Sequence, residues 1–191
     1  FVYTDRGLLW VVFDPWSDVT DHYGRWVKDR RYCTLWIPGY AWSPAWVIWR
    51  SGGGYLGWMP MPPDYGDFDD GPYFGGRYGW DDRYGYRDWY GADDDAFYGL
   101  WVFVDDNHFY RDDYRNYAVD RRRVRDLFRV TSDSTHYAVE NDQIVNRSIS
   151  PERLQRVTHE RIQPRPVDEF LKANVPMARV SQGRELGKHE G

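Results

Sequence analysis

Carboxylates are the first side chains here whose number and spacing suggest chemistry. Asp69-Asp70, Asp81-Asp82 and Asp93-Asp94-Asp95 supply hard oxygen ligands of the kind calcium takes. The alternating ligand spacing and fixed turn of an EF-hand loop are missing around them. Two such carboxylates could also act as the acid and base of a glycosidase, but no pair is set apart from the others. Solvated acidic loops, or pairs with Arg77, Arg83 and Arg87, are the expected state. The five histidines, at 22, 108, 136, 159 and 189, are scattered, and no two have metal-ligand spacing. Surface or capping roles are expected for them. His22, which follows Asp21 inside a Trp-rich stretch, is expected to hydrogen-bond within the core. Cys33 is the only cysteine, so no intrachain disulfide can form, and a small buried thiol is expected. A Gly-rich phosphate loop, a nucleophile elbow and a Cys-His pair are all absent from the sequence. The reading is therefore of a non-enzymatic chain with no catalytic residue, no metal ligand and no cofactor site.

What remains is aromatic. Eight of the 11 tryptophans fall within the first 62 residues. Trp10-Val11, Trp26-Val27, Trp36-Ile37, Trp46-Val47 and Trp58-Met59 each join an indole to an apolar neighbour, at spacings of 16, 10, 10 and 12. Pro, Gly or Asp separates most of these units, which is the pattern of short strands divided by turns. Strands are expected over Leu8 to Phe13, Gly24 to Lys28, Tyr32 to Ile37, Ala45 to Arg50 and Tyr55 to Met59, with Ser51-Gly52-Gly53-Gly54 as a turn. The pattern predicts a β-meander or small barrel across residues 1–62.

Residues 63–96 differ in composition. Positions 63 to 95 hold ten Asp, seven Gly, six Tyr and three Arg, and no Val, Ile, Leu or Met. Such a stretch cannot build its own core and is expected to order only against something else. Residues 97–180 resume regular structure. A strand is expected at Leu100 to Val104 and a hairpin over 135–147 about Glu140-Asn141-Asp142-Gln143. Ser150-Pro151 reads as a helix start, with Leu154, Val157 and Ile162 on one apolar side and Pro164 as the stop. A second short helix is expected around Asp168 to Ala173, and 181–191 reads as a polar tail. The fold class is thus mainly β, with an irregular Tyr/Gly/Asp-rich insert and a C-terminal hairpin plus one or two short helices.

The chain has 191 residues, a length that suits one domain with appendages or two small ones. A formal net charge of -5 disfavours nucleic acid and anionic lipid. Arg121-Arg122-Arg123-Val124-Arg125 is basic, but interspersed Asp argues for contact with acidic protein groups, the insert among them. No apolar run approaches the ~20 residues of a membrane-spanning helix, so the chain is not expected to cross a membrane in that way. It begins at Phe1 rather than Met, which a removed export signal or a true N-terminus further upstream would explain.

His22-Tyr23-Gly24-Arg25-Trp26-Val27, Leu35-Trp36-Ile37-Pro38-Gly39-Tyr40, Trp42-Ser43-Pro44-Ala45-Trp46-Val47 and Trp49-Arg50-Ser51-Gly52-Gly53-Gly54-Tyr55 carry a resemblance. They are similar to a family of uncharacterised Trp- and Tyr-rich bacterial exported proteins, a domain of unknown function. Trp101-Val102-Phe103-Val104, His108-Phe109 and Val145-Asn146-Arg147 resemble its later pattern, with 64–96 as a variable insert. The resemblance implies bacterial origin, export to the periplasm or cell envelope, and a mostly β fold.

Tyr and Trp favour protein interfaces. The expected function is a structural or accessory subunit docked, on the periplasmic side, onto a larger envelope or membrane complex, with other protein subunits as partners. Trp42, Trp49 and Trp58 in the repeat, and Tyr73, Tyr78, Trp80, Tyr84, Tyr86, Trp89 and Tyr90 in the insert, are the expected partner-binding residues. A glycan- or peptidoglycan-binding module using exposed aromatics is the alternative.

Overall fold

The computed structural model describes residues 1–12, 14, 16–29, 33–62 and 97–174. Its centre is a four-stranded antiparallel sheet built from β5 (Val47–Gly52), β6 (Tyr55–Pro60), β7 (Val102–Asp105) and β8 (Ser132–Asp133), in the order β7-β6-β5-β8. Residues from both sides of 63–96 thus share one sheet. β5 and β6 form a hairpin that pairs Trp49 with Trp58 and Ile48 with Met59. Its two-residue turn, Gly53-Gly54, has φ of 56° and 81°, which matches the twist of the flanking strands and favours glycine at both positions.

The sheet is buried on both faces, and this accounts for the Trp-apolar dipeptides at Trp46-Val47, Trp58-Met59 and Trp101-Val102. Successive strand residues point to opposite faces, so each such unit can fill two cores at once. Trp46, Ile48, Met59, Met61, Trp101 and Phe103 join one cluster, closed by Val124, Leu127 and Tyr137. Trp49, Leu56, Trp58 and Val104 join the other, closed by Tyr3, Leu8, Phe109, Ile149, Leu154 and Ile162. Aromatic rings meet edge to face in the second cluster: Trp58 lies 5.5 Å from Phe109 and 5.5 Å from Tyr114, at interplanar angles of 74° and 67°. Burying each large ring stabilises the fold by about 1.5–3 kcal/mol relative to exposure, which offsets the shortage of aliphatic side chains.

Three two-stranded ribbons surround the sheet. β1 (Val2–Thr4) pairs with β2 (Gly7–Leu9), β3 (Arg25–Asp29) with β4 (Cys33–Ile37), and β9 (Tyr137–Glu140) with β10 (Gln143–Asn146). The last hairpin turns on Asn141 and Asp142, at φ 51° and 59°, residue types that tolerate the left-handed region. Helices α1 (Ser17–Thr20), α2 (Val124–Val130), α3 (Pro151–Thr158) and α4 (Val167–Asn174) are accompanied by 3-10 turns at Tyr114–Tyr117 and Arg121–Arg123. The Ser150 hydroxyl accepts from the Arg153 N–H at the start of α3, and His159 ends that helix in the left-handed conformation. The N-terminal hairpin is clamped from the C-terminal side. Asp5 N–H donates to Arg165 O, Arg165 N–H to Tyr3 O, and Val167 N–H to Asp5 Oδ1. Tyr137, fully buried, sends its hydroxyl to the Ala45 and Val47 carbonyls, and so ties β9 to the entry of β5.

The mainly β class and the C-terminal hairpin and helices match expectation. Of the two architectures expected for 1–62, a closed barrel is not formed among the described residues; the strands remain in four sheets. β2 stops at Leu9 because the Trp10 N–H turns to Pro44 O, and residues 10–12 run on without a strand partner. β7 starts later than expected because Leu100 and Trp101 N–H groups close a turn onto Phe97 and Tyr98 carbonyls. The expected β3–β4 turn, residues 63–96 and the polar tail lie outside the described residues.

Candidate partner-docking cleft

The family-like motifs of the first segment interlock. Gly24 (φ 65°) lets the chain reverse against β4, and a Cβ there would stand 2.1 Å from Ile37 O. That close approach requires glycine. Around it, two indoles donate to successive carbonyls: Trp46 Nε1–H to His22 O at 2.9 Å and Trp36 Nε1–H to Tyr23 O at 3.0 Å. The His22 ring is buried and stacks on Trp42 with centroids 5.3 Å apart. Its Nδ1 lies 2.9 Å from Ser43 O. A carbonyl can only accept, so Nδ1 carries the proton. Burial holds the His22 pKa below its ordinary value despite that hydrogen bond. Arg25 is also buried, with its guanidinium 3.4 Å from the centre of the Trp46 ring and NH1 donating to Gly24 O. Desolvation lowers its pKa to about 10, so it remains charged at neutral pH.

This locked ribbon forms one wall of a cleft of about 350 Å³, within the range of ligand clefts though at its small end. Thr20, Asp21, Gly24 and Trp26 line it from the side of α1 and β3. Trp10, Ala45, Trp46 and Val47 form the next part of the wall, and Trp58, Pro60, Leu100 and Val102 close it. Asp21 and Thr20 are its polar side chains. Burial raises the Asp21 pKa above the ordinary value and outweighs the opposing effects of His22 and of the Trp26 indole N–H.

The expected partner-binding residues divide sharply. Trp49 and Trp58 are buried, 0% and 5% exposed, and spend their rings on the core; Trp58 reaches the cleft only with part of its surface. Trp42 is half-buried between His22 and Arg6, whose guanidinium lies 5.0 Å from the ring centre. Tyr73, Tyr78, Trp80, Tyr84, Tyr86, Trp89 and Tyr90 lie outside the described residues, as do the three Asp clusters. Among the described residues, the large apolar side chains that do face solvent are Trp16 (76% exposed), Val19, Leu35, Tyr40 (102%), Tyr117, Val130 and Val139, none of which was expected as a partner-binding residue. Trp16 and Val19 share the short α1 segment beside Thr20. Their signal was present as a Trp outside the Trp-apolar unit, followed by Ser17-Asp18.

Other polar groups have local duties. His108 Nδ1 meets both Asp105 carboxylate oxygens at 2.7 and 2.8 Å, and its ring stacks on Tyr117 at 3.8 Å. The described hydrogen bonds join this pair to no nucleophile. Arg122 pairs with Asp120 at 3.0 Å, Arg121 donates to Gly99 O, and the Arg125 guanidinium lies 5.1 Å from the centre of the Tyr98 ring, so at least three of the basic run are engaged within the chain. Among the described residues no group of three or more His, Cys, Asp or Glu could hold a metal ion. No described helix is long and apolar enough to cross a membrane.

Fold and cleft together define a mainly β protein with a two-faced aromatic sheet and a small Trp-lined recess. Residues 1–65 match the model of a family of unknown function (DUF6600), in line with the resemblance carried by the His22 to Tyr55 motifs. The later pattern at 101–104, 108–109 and 145–147 lies beyond the matched span. No curated protein and no solved structure matches the chain.

Proposed function

We propose that this chain is a non-enzymatic accessory subunit of the bacterial cell envelope, docked through its Trp-repeat segment onto a larger protein complex on the periplasmic side. The observation that carries the reading is the cleft: four indoles line a recess of about 350 Å³ whose rim residue Thr20 adjoins a strongly exposed Trp16. Trp and Tyr anchors beside a desolvated pocket are the usual energetic centre of a protein interface. Val19, Leu35 and Tyr40 are also exposed within the same matched segment. A glycan platform is less well supported. It needs several polar side chains to bond sugar hydroxyls, and the cleft offers Thr20 and Asp21.

A photoreactive amino acid placed at Thr20, and at Arg122 as a distant control, tests the reading in cells. The expected result is a discrete protein adduct from Thr20 and none of the same mass from Arg122. Adducts with glycan alone, or no adduct from Thr20, would overturn it.

A further inference from the structure

The cleft has an unusual composition: one carboxylate, Asp21, among the side chains of Trp10, Trp26, Trp46 and Trp58. An indole wall alone would suit any apolar group. A half-buried carboxylate in that wall would not, because removing it from water is unfavourable unless a cation or hydrogen bonds compensate. His22 and the Trp26 indole N–H favour the charged form, but burial still outweighs them. Among the described residues, no Lys or Arg makes an ion pair with Asp21. The nearby acids Asp14 and Asp18 add to the negative field at this end: Asp14 acts on Asp21 and Asp18 on His22. The indoles are also suited to positive charge, since their faces attract cations. Trp46 already carries one, the Arg25 guanidinium at 3.4 Å, although Arg25 does not line the cleft.

We infer that the cleft seats a cationic side chain of the partner protein, an ammonium or guanidinium group on an apolar stem, with the stem against the indoles and the charged tip at Asp21. This rests on the docking reading above and names the chemistry of what docks. Side chains of that type bury a hydrocarbon stem while keeping a charged head at a polar group, and the walls and the single acid match those two parts in turn. The chain's net charge of -5 favours the approach of a basic surface.

The test uses the whole chain and two small probes of equal length, n-butylammonium and butan-1-ol, followed through the indole N–H resonances. n-Butylammonium should shift the Trp26 indole signal saturably, and butan-1-ol should need about tenfold higher concentration for half the effect. Asp21→Asn should erase that preference while the dispersed indole signals persist. On the unmodified protein, the preference should also fade as pH falls and the Asp21 carboxyl protonates. Protonation of the neighbouring His22 adds positive charge beside the cleft and acts in the same direction, and the charge of Asp14 favours Asp21 protonation and does so too. Equal potency of the two probes overturns the inference, as does a preference that survives both Asp21→Asn and acidification. Either result leaves the Thr20 crosslinking outcome to decide docking itself. A missing crosslink alongside intact ammonium preference would instead remove the partner and keep the site chemistry.

Discussion

His22 illustrates how one side chain can be both a sequence marker and a structural pin. Its backbone carbonyl takes the Trp46 indole and the Ser43 N–H, and its ring donates to Ser43 O, so three loops meet at one residue. The sequence predicted that His22 would hydrogen-bond within the core, because it sat beside Asp21 in a Trp-rich stretch. It could not reveal which carbonyl, since Ser43 is 21 residues away. The neutral ring has a consequence for stability. Its folded pKa lies below the ordinary 6.5, so the unfolded chain takes up the proton first. The stability it contributes is fully present above that value and is lost as pH falls through the folded pKa. Denaturant midpoints measured from neutral to mildly acidic pH should therefore fall for the native chain. They should fall less for His22→Asn, whose amide can replace the Nδ1 donor but does not titrate. Parallel pH profiles for the two proteins would show that His22 is not the group responsible.

At the scale of elements, the legible features were those with local causes. The β5–β6 turn followed from its glycines, the β9–β10 hairpin from Asn141-Asp142, and α3 from Ser150-Pro151. Strand ends were less legible because they depend on distant partners. Leu8 to Phe13 looked like one apolar strand, but Trp10 N–H is drawn to Pro44 O across the fold. The Trp-apolar unit was read as one large aromatic per strand, whereas its physical meaning is a sheet packed on both faces. Only the partition of Trp49 and Trp58 to one cluster, and Ile48 and Met59 to the other, reveals this. The same partition removes Trp49 and Trp58 from the free surface. The β3–β4 ribbon makes a sharper prediction. Gly24→Ala places a Cβ 2.1 Å from Ile37 O at φ 65° and should destabilise the protein by roughly 2–4 kcal/mol, combining the left-handed strain with backbone displacement. Chemical denaturation measures this. A loss below about 0.5 kcal/mol, the range of neutral surface changes, would mean that the ribbon is not held as described.

For the whole molecule, the cleft was not legible in the sequence at all. Its walls come from Trp10, Trp26, Trp46, Trp58 and Leu100, and Leu100 lies beyond the 63–96 stretch that the sequence places between β6 and β7. Composition led to the expectation of an aromatic interface and a protein partner, which the proposed function carries forward. Among the described residues, Trp46, Trp49, Trp58 and Trp101 are buried in the two cores, while Trp16 and Tyr40 are exposed and the recess holds a single carboxylate. In the function proposed, this body works as part of something larger. The most direct measurement is the native mass of the endogenous protein in gently solubilised envelope, with identification of what comigrates. Comigration with one defined assembly, reduced when Trp26 and Asp21 are both substituted by Ala, is the result expected. Migration at the mass of the single chain under the same conditions would contradict the account.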